Sequence, residues 1–144
     1  IYGDGDHTQT LRAEIVRLRK VLNRVFPAIE LSSQPYRLSI NIETDAHHVM
    51  SLLERGAHKA ALSAYRGSII PGSGAPGIRD IDDTLHTLLR EAILTDASVD
   101  VVMDYLETDV GAEDRDVLEL ALKLLPLRSP KRARVVTRIE QLED

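Results

Sequence analysis

The chain has 144 residues, of which 43% are hydrophobic, 28% are charged and 3% are aromatic. This length fits one ordinary domain or two small ones, and the apolar fraction is sufficient for a packed core. The sequence has no uncharged apolar run of 18 residues, so no membrane span is predicted. Because it has no cysteine, disulfides, thiolate catalysis and cysteine-ligated zinc are excluded, and we expect a reducing, cytoplasmic compartment.

The net charge of −5, taken as a whole, argues against nucleic-acid binding, but the charge is unevenly distributed. Residues 1–40 contain six basic and four acidic residues, residues 41–127 seven and sixteen, and residues 128–144 five and three. Fields beyond about 8–10 Å are screened at physiological salt. A basic segment can therefore attract phosphate even on an acidic protein.

The first predicted element is a helix over residues 7–24, after a glycine-containing loop. Asp6 is its expected N-cap, and Gln9 can complete a capping box. One apolar stripe follows helical spacing, and we expect missing sequence, the helical part of the chain or a partner chain to cover it. Because the chain begins with Ile1 and carries no signal peptide, we interpret it as a fragment. The stripe consists of Leu11, Ile15, Leu18 and Leu22.

A β-hairpin is predicted over residues 28–42. Residues 28–31 form a short apolar run, residues 32–35 have turn chemistry, and residues 36–42 alternate between apolar and polar side chains. Period 2 places the apolar members of this strand on one face. They are Tyr36, Leu38, Ile40 and Ile42.

The remainder is predicted to be helical, over residues 44–54, 58–66, 78–94, 98–106, 113–125 and 129–142. Short amphipathic helices joined by short turns are typical of stacked αα-hairpins. The apolar positions of the 78–94 helix are Ile81, Leu85, Leu88 and Leu89, and those expected inside the last helix are Ala133, Val136, Ile139 and Leu142.

Several motifs favour structural roles over chemistry. The loop 72–77 satisfies G-x-G-x-x-G but lacks the preceding strand of a dinucleotide site. Residues 4–8 begin like a calcium loop and then lose its pattern. His47, His48 and His58 lack metal-pair spacing, and Asp80, Asp82 and Asp83 are expected to serve as caps. We therefore predict no enzyme activity, no cofactor and no metal.

The basic helix is the feature that points to a function. Between Gln9 and Arg24 there are five basic residues and one acidic residue, and its outward face mixes base-reading side chains with small ones. A hairpin carrying Arg37 follows at once. A helix followed by a wing is a DNA-docking arrangement.

Three segments of the first 40 residues together resemble the second half of a response-regulator-type winged helix. They are Tyr2-Gly3-Asp4, then Thr10-Leu11-Arg12-Ala13-Glu14-Ile15-Val16-Arg17-Leu18-Arg19-Lys20-Val21-Leu22, and then Pro35-Tyr36-Arg37-Leu38. Pro35 replaces the family's glycine at the wing. Residues 62–71, LSAYRGSIIP, and the Gly/Pro loop after them resemble the segment that follows the winged helix in actinobacterial transcription regulators. These include antibiotic regulatory proteins with a helical bacterial transcriptional activation domain, and the similarity is greater to GAF-domain-containing regulators.

This resemblance implies a mainly α protein with two domains. Residues 1–42 would be the C-terminal part of a winged helix-turn-helix (recognition helix plus hairpin wing), and residues 43–144 an α-helical bundle of stacked αα-hairpins. Arg17 matches the family's base-reading arginine, and Arg19, Lys20 and Tyr36 match phosphate-contacting positions. The full expected DNA-binding set is Thr8, Gln9, Arg12, Ala13, Arg17, Arg19, Lys20, Tyr36 and Arg37.

The sequence thus predicts a fragment of a bacterial DNA-binding transcription regulator, with the 7–24 helix in the major groove. Its expected partners are double-stranded DNA, a second copy of the chain, and RNA polymerase or an upstream sensor domain. The alternative is a helical protein-interaction or dimerisation module of a sensor protein, without direct DNA reading. The acidic segment 41–127 is the support for this alternative.

Overall fold

The computed structural model describes residues 8–142, with side chains from Thr10 onward. Within that range the chain is mainly helical, as predicted, with one two-stranded sheet. In chain order the elements are α1 (Thr8–Val25), β1 (Leu31–Ser33), β2 (Tyr36–Leu38), α2 (Asp45–Glu54), α3 (His58–Ala64), α4 (Pro76–Asp96), α5 (Val99–Tyr105), α6 (Arg115–Leu124) and α7 (Lys131–Gln141).

The ends of α2 follow from local chemistry that the sequence already displays. The Thr44 hydroxyl accepts a hydrogen bond from the backbone N–H of His47 at 3.2 Å, which satisfies a donor left free in the first turn. After the helix, Gly56 has a φ of 68°, a left-handed conformation that glycine adopts without steric cost. The predicted bounds of this helix are confirmed.

Helix α4 is the central element of the helical part. It packs against α2, α3, α5 and α6, and its seam of Leu85, Leu89 and Ile93 is almost fully buried. The core contains residues from each of the six helices α2–α7. No described residue before Ala46 belongs to it, so α1 and the hairpin lie outside this core.

Two helix faces differ from the sequence prediction. In α4, Ile81 and Leu88 are 45% and 43% exposed, because neighbouring helices cover the side of Leu85, Leu89 and Ile93 instead. In α7, Val135 is buried while Val136 and Leu142 are 40% and 39% exposed, and Ala133 is exposed as well. The last helix is therefore rotated from the predicted orientation, and of the residues expected inside it only Ile139 packs against the core.

The hairpin is shorter than predicted. Its antiparallel register pairs Leu31 with Leu38 and Ser33 with Tyr36, and β2 ends at Leu38. The next residue, Ser39, still donates its backbone N–H to Glu30 at 2.9 Å, but the chain before Glu30 turns away toward α1. Without a partner strand, Ile40 and Ile42 are exposed and do not continue the strand.

A partly buried ion pair joins α4 to the start of α6. The Arg90 guanidinium donates hydrogen bonds from Nε and Nη2 to the two carboxylate oxygens of Asp114, at 2.6 and 3.0 Å. Asp114 also caps α6 by accepting from the Val117 N–H at 3.3 Å. The hydrogen bonds to Asp114, followed by that to Asp116, raise the pKa of Arg90.

Asp82 has a different role from the helix-capping role expected for it. Its carboxylate accepts hydrogen bonds from the Ser68 hydroxyl and from the Ile69 N–H, the latter at 2.8 Å. It thereby holds the loop after α3 against α4. Tyr65 lies close by, and burial, followed by the charge of Asp82, raises the pKa of its phenol.

The basic residues of α7 are largely used within the fold. Arg132 donates to the carbonyls of Leu122 and Leu125 at the end of α6. Arg138 donates to the Leu106 carbonyl at 2.8 Å, and Arg134 pairs with Glu107 at 3.0 Å. These contacts fasten α7 to α5 and α6.

Among the described residues, no helix combines the length and the apolar character needed to cross a membrane.

Gly111 allows the chain to approach Tyr105 closely. A Cβ atom at Gly111 would lie 2.2 Å from the Tyr105 carbonyl oxygen and 2.7 Å from two ring carbons. We predict that Gly111→Ala lowers the free energy of unfolding by about 1–3 kcal/mol, the usual cost of overpacking, in urea denaturation. Gly74→Ala is the matched control, because its Cβ would meet only the Arg79 side chain at 3.7 Å. Equal stability of the two variants would contradict this prediction.

Tyr105 links stability to alkaline pH. Its hydroxyl is buried without a hydrogen-bond partner among the described groups, and burial, followed by the charge of Asp114, raises its pKa to about 12. The folded state thus holds the phenol proton more tightly than the unfolded chain, in which tyrosine has a pKa of about 10. This contribution to stability is complete below pH 10 and is lost as the pH rises toward 12.

We therefore expect the wild-type chain to lose about 2–3 kcal/mol more stability than Tyr105→Phe between these two pH values. At pH 7 the variant should differ from wild type by less than about 1 kcal/mol, because the deleted hydroxyl is unpartnered. Urea denaturation across this pH range measures both. Parallel pH curves for the two proteins would refute the assignment.

Candidate nucleic-acid interface

Helix α1 is amphipathic, but its apolar stripe is incompletely covered. Leu11, Ile15 and Leu22 are partly buried, whereas Leu18 is 44% exposed. Val21 and Val25, which flank this stripe, are also exposed. Leaving such a side chain in water forgoes roughly 1.5–3 kcal/mol of stabilisation. The described residues therefore leave part of the apolar stripe of α1 exposed, where other protein atoms can cover it.

The opposite face of α1 is exposed and basic. At 100° per residue, Ala13, Arg17, Lys20 and Arg24 share this face, and all are exposed. Val16 extends it at one side and is exposed too. Small side chains between cations allow the helix backbone to come close to a binding surface.

Arg17 forms an ion pair on the helix surface. Its guanidinium contacts the Glu14 carboxylate three residues earlier, and both side chains are largely exposed. Exposed pairs of this kind contribute at most about 1 kcal/mol. Glu14 therefore positions the Arg17 side chain, but breaking this ion pair to contact another molecule would cost little free energy.

Arg19 attaches the hairpin to α1. Its Nε and Nη2 donate to the Leu31 carbonyl oxygen at 3.2 and 3.0 Å, and Nη2 also donates to the Ser33 hydroxyl at 2.6 Å. These bonds reach across 12 and 14 residues of sequence. They fix β1 beside the helix without an apolar core between the two.

The hairpin presents its tip and β2 to solvent. The Ser32 hydroxyl donates to the carbonyls of Pro35 and Arg37, at 3.3 and 3.1 Å, which closes the turn. Tyr36 and Arg37 have exposed side chains. A shallow groove runs between the hairpin and α1, and its lining includes Leu11, Arg12, Ile15, Val16, Arg19, Gln34 and Tyr36.

The structure thus divides the expected DNA-binding residues into three positions. Ala13, Arg17 and Lys20 lie on the outer face of α1, Arg12 and Arg19 on its hairpin side, and Tyr36 and Arg37 on β2. Thr8 and Gln9 belong to the first turn of α1, but their side chains lie outside the described part. Sequence analysis missed Leu31 and Ser33, which are the hydrogen-bond partners of Arg19, because a side-chain contact to a strand carbonyl has no sequence signature.

The other motifs show structural features. The loop at 72–77 leads into α4 with Pro76 in the first helical turn, and Gly72 has a φ of 77°. His47 is exposed, and its Nδ1 lies 2.9 Å from the Thr44 hydroxyl. No group of three potential metal ligands was found among the described residues. The calcium-like residues 4–7 lie outside them.

Comparison with known proteins gives two similarities. Residues 98–144, which include α5 to α7, match the family described as YTH3-like protein, third C-terminal helical domain. A Rhodococcus erythropolis protein described as an uncharacterized 47.3 kDa protein in the thcA 5'region is 35% identical over 134 residues, covering 93% of this chain and 30% of that protein. The chain therefore spans about a third of the length of this relative. No solved structure matches the chain.

We predict that Arg19→Ala loosens the hairpin without unfolding the helical core. Loss of its hydrogen bonds should cost about 1–2 kcal/mol locally, so that the Ser39 amide exchanges about tenfold faster with deuterium. The amides of α4 should be unaffected, because Arg19 lies outside the core. Arg12→Ala, which removes a cation of the same helix, is the control and should leave Ser39 exchange unchanged. Equal protection in wild type and Arg19→Ala would contradict the attachment.

Proposed function

We propose that this chain is part of a bacterial transcription regulator that binds double-stranded DNA through α1 and the hairpin. The observation that carries the proposal is geometric. Arg19 holds the hairpin on one flank of α1, while an exposed face with several cations remains free on another. A helix with a fixed neighbouring wing is the arrangement with which winged-helix proteins bind the major groove.

The proposed roles differ by position. Arg17 would read a base edge, giving discrimination of about 1–3 kcal/mol if it is bidentate to guanine. Lys20 and Arg37 would contact phosphates and supply sequence-independent, salt-sensitive affinity. Arg19 would act chiefly as a positioning residue, because the hairpin already occupies part of its guanidinium.

The helical part, α2 to α7, would be the regulatory or interaction portion of this regulator. The similarity of residues 98–144 to a C-terminal helical domain and the greater length of the Rhodococcus relative support a chain that works within a longer protein. An upstream GAF-type sensor and RNA polymerase are the partners that such an arrangement would bring together.

The DNA proposal predicts salt-dependent binding. Fluorescence anisotropy with a labelled, mixed-sequence 30-bp duplex should show affinity that falls steeply between about 50 and 200 mM salt. Lys20→Ala should weaken binding uniformly across sequences and reduce the slope of log K against log salt by about 1. Lys59→Ala removes an exposed cation from α3 and is the control, with unchanged binding expected.

The measurement is made on the longest natural form that contains these residues. If that form fails to bind DNA, or if Lys20→Ala and Lys59→Ala behave alike, the helical interaction module is the better assignment. The acidic charge of residues 41–127 favours this second function, which requires no contact between α1 and DNA.

A further inference from the structure

The connection between α6 and α7 forms an exposed surface that is both apolar and basic. This surface, the basic tip, comprises residues 123–131. Leu127 is 88% exposed and Leu124 is 42% exposed. Lys123, Arg128 and Lys131 surround them, and all three are exposed. An isolated exposed leucine is ordinary, but two leucines among three cations form a defined chemical surface.

The charges of the basic tip are not used within the fold. In the described part of the chain, Arg134 and Arg138 of α7 pair with Glu107, whereas Lys123, Arg128 and Lys131 form no ion pair with a carboxylate there. Nor does the sequence of the tip contain an acidic residue. The tip therefore carries an uncompensated positive charge on a chain whose net charge is −5.

A surface of opposite character lies on α4. Ile81 and Leu88, seven residues apart, are exposed along one edge of the buried seam. At 100° per residue, Asp80 and Glu91 lie next to these two side chains, farther from the seam, and both are exposed. This α4 face, comprising Asp80, Ile81, Thr84, Leu88 and Glu91, combines two apolar side chains with two carboxylates.

We propose that the basic tip of one copy of the chain docks on the α4 face of a second copy. Each surface offers two exposed apolar side chains, and their charges are opposite. A tip meeting a tip, or an α4 face meeting an α4 face, places like charges together, which disfavours wrong pairings. The occupant of each surface is thus the other surface of a second copy.

The apolar stripe of α1 fits the basic tip less well. Arg12 and Arg19 lie beside that stripe at 100° per residue, and the whole helix carries five cations and one carboxylate between residues 9 and 24, so its field repels the tip. The proposed contact also leaves the outer face of α1 free, and it is independent of the proposed DNA binding. Because both surfaces are small, the contact is of the weak, transient class.

Sedimentation equilibrium of the 144-residue chain tests this contact. The weight-average mass should rise above 16.0 kDa between about 10 μM and 1 mM, as expected for a small interface. A tip variant, Lys123→Glu with Arg128→Glu, and an α4 variant, Asp80→Lys with Glu91→Lys, should each associate at least about tenfold more weakly. Far-UV circular dichroism should be unchanged, because the substituted residues lie outside the core.

Mixing the two variants provides the decisive measurement. The intact tip of the α4 variant can dock on the intact α4 face of the tip variant, and the reversed charges complement each other at the second contact. The mixture should therefore recover wild-type association. The proposal is overturned if the wild-type chain stays monomeric, if either variant associates like wild type, or if the mixture stays as weak as its components. Loss of association in Leu18→Ser with no effect of the tip variant would assign the contact to α1 instead.

Discussion

The packing of the helical part depends on the contact between Arg90 and Asp114. The Asp114 side chain is only 8% exposed, and an unpaired carboxylate at such a position is costly. Arg90, which lies on α4, offsets this cost with two hydrogen bonds to the carboxylate, and the same carboxylate caps α6. The start of α6 and the middle of α4 are thus fixed relative to each other. Tyr105 lies within the field of this pair, and Gly111 provides the space for its ring, so the turn from α5 to α6 follows from the same constraint.

The cohesion of α1 and the hairpin has a different physical origin. The helices from α2 onward share one apolar core, whereas Arg19 joins helix and hairpin by polar contacts. Directional hydrogen bonds set orientation more strictly than apolar contact does, and a surface that reads another molecule needs its parts in fixed positions. A polar attachment also leaves the apolar stripe of α1 available for other cover. The positions of Arg17 and Arg37 relative to each other therefore depend on Arg19.

The sequence was sufficient for the elements whose ends have local causes. Thr44 and Gly56 mark helix ends through hydrogen bonding and backbone conformation that need no distant partner, and the mainly helical class follows from periodicity. Helix α4 begins at Pro76, two residues before its predicted start. The buried faces were less predictable. Leu88 and Val136 fit an apolar stripe as well as their buried neighbours do, and only the positions of adjacent helices expose them. The same holds at the candidate interface: helical spacing placed Arg17 and Lys20 on an outer face, but the attachment through Arg19 and the early end of β2 depend on long-range pairing.

The distribution of charge gains a physical meaning once its partners are known. The excess of cations in residues 128–144 is partly consumed inside the fold, since Arg132 and Arg138 bond to carbonyls and Arg134 pairs with Glu107. Among the cations that remain exposed, those on the outer face of α1 and those of the basic tip form two groups. These two surfaces differ in shape and apolar content: α1 presents cations at helical spacing among small side chains, whereas the tip presents cations around two leucines. Regularly spaced cations suit a repeating phosphate backbone, and leucines among cations suit an acidic apolar protein surface. Two basic surfaces on one acidic chain can therefore select different partners, because the uncharged side chains that lie among their cations differ.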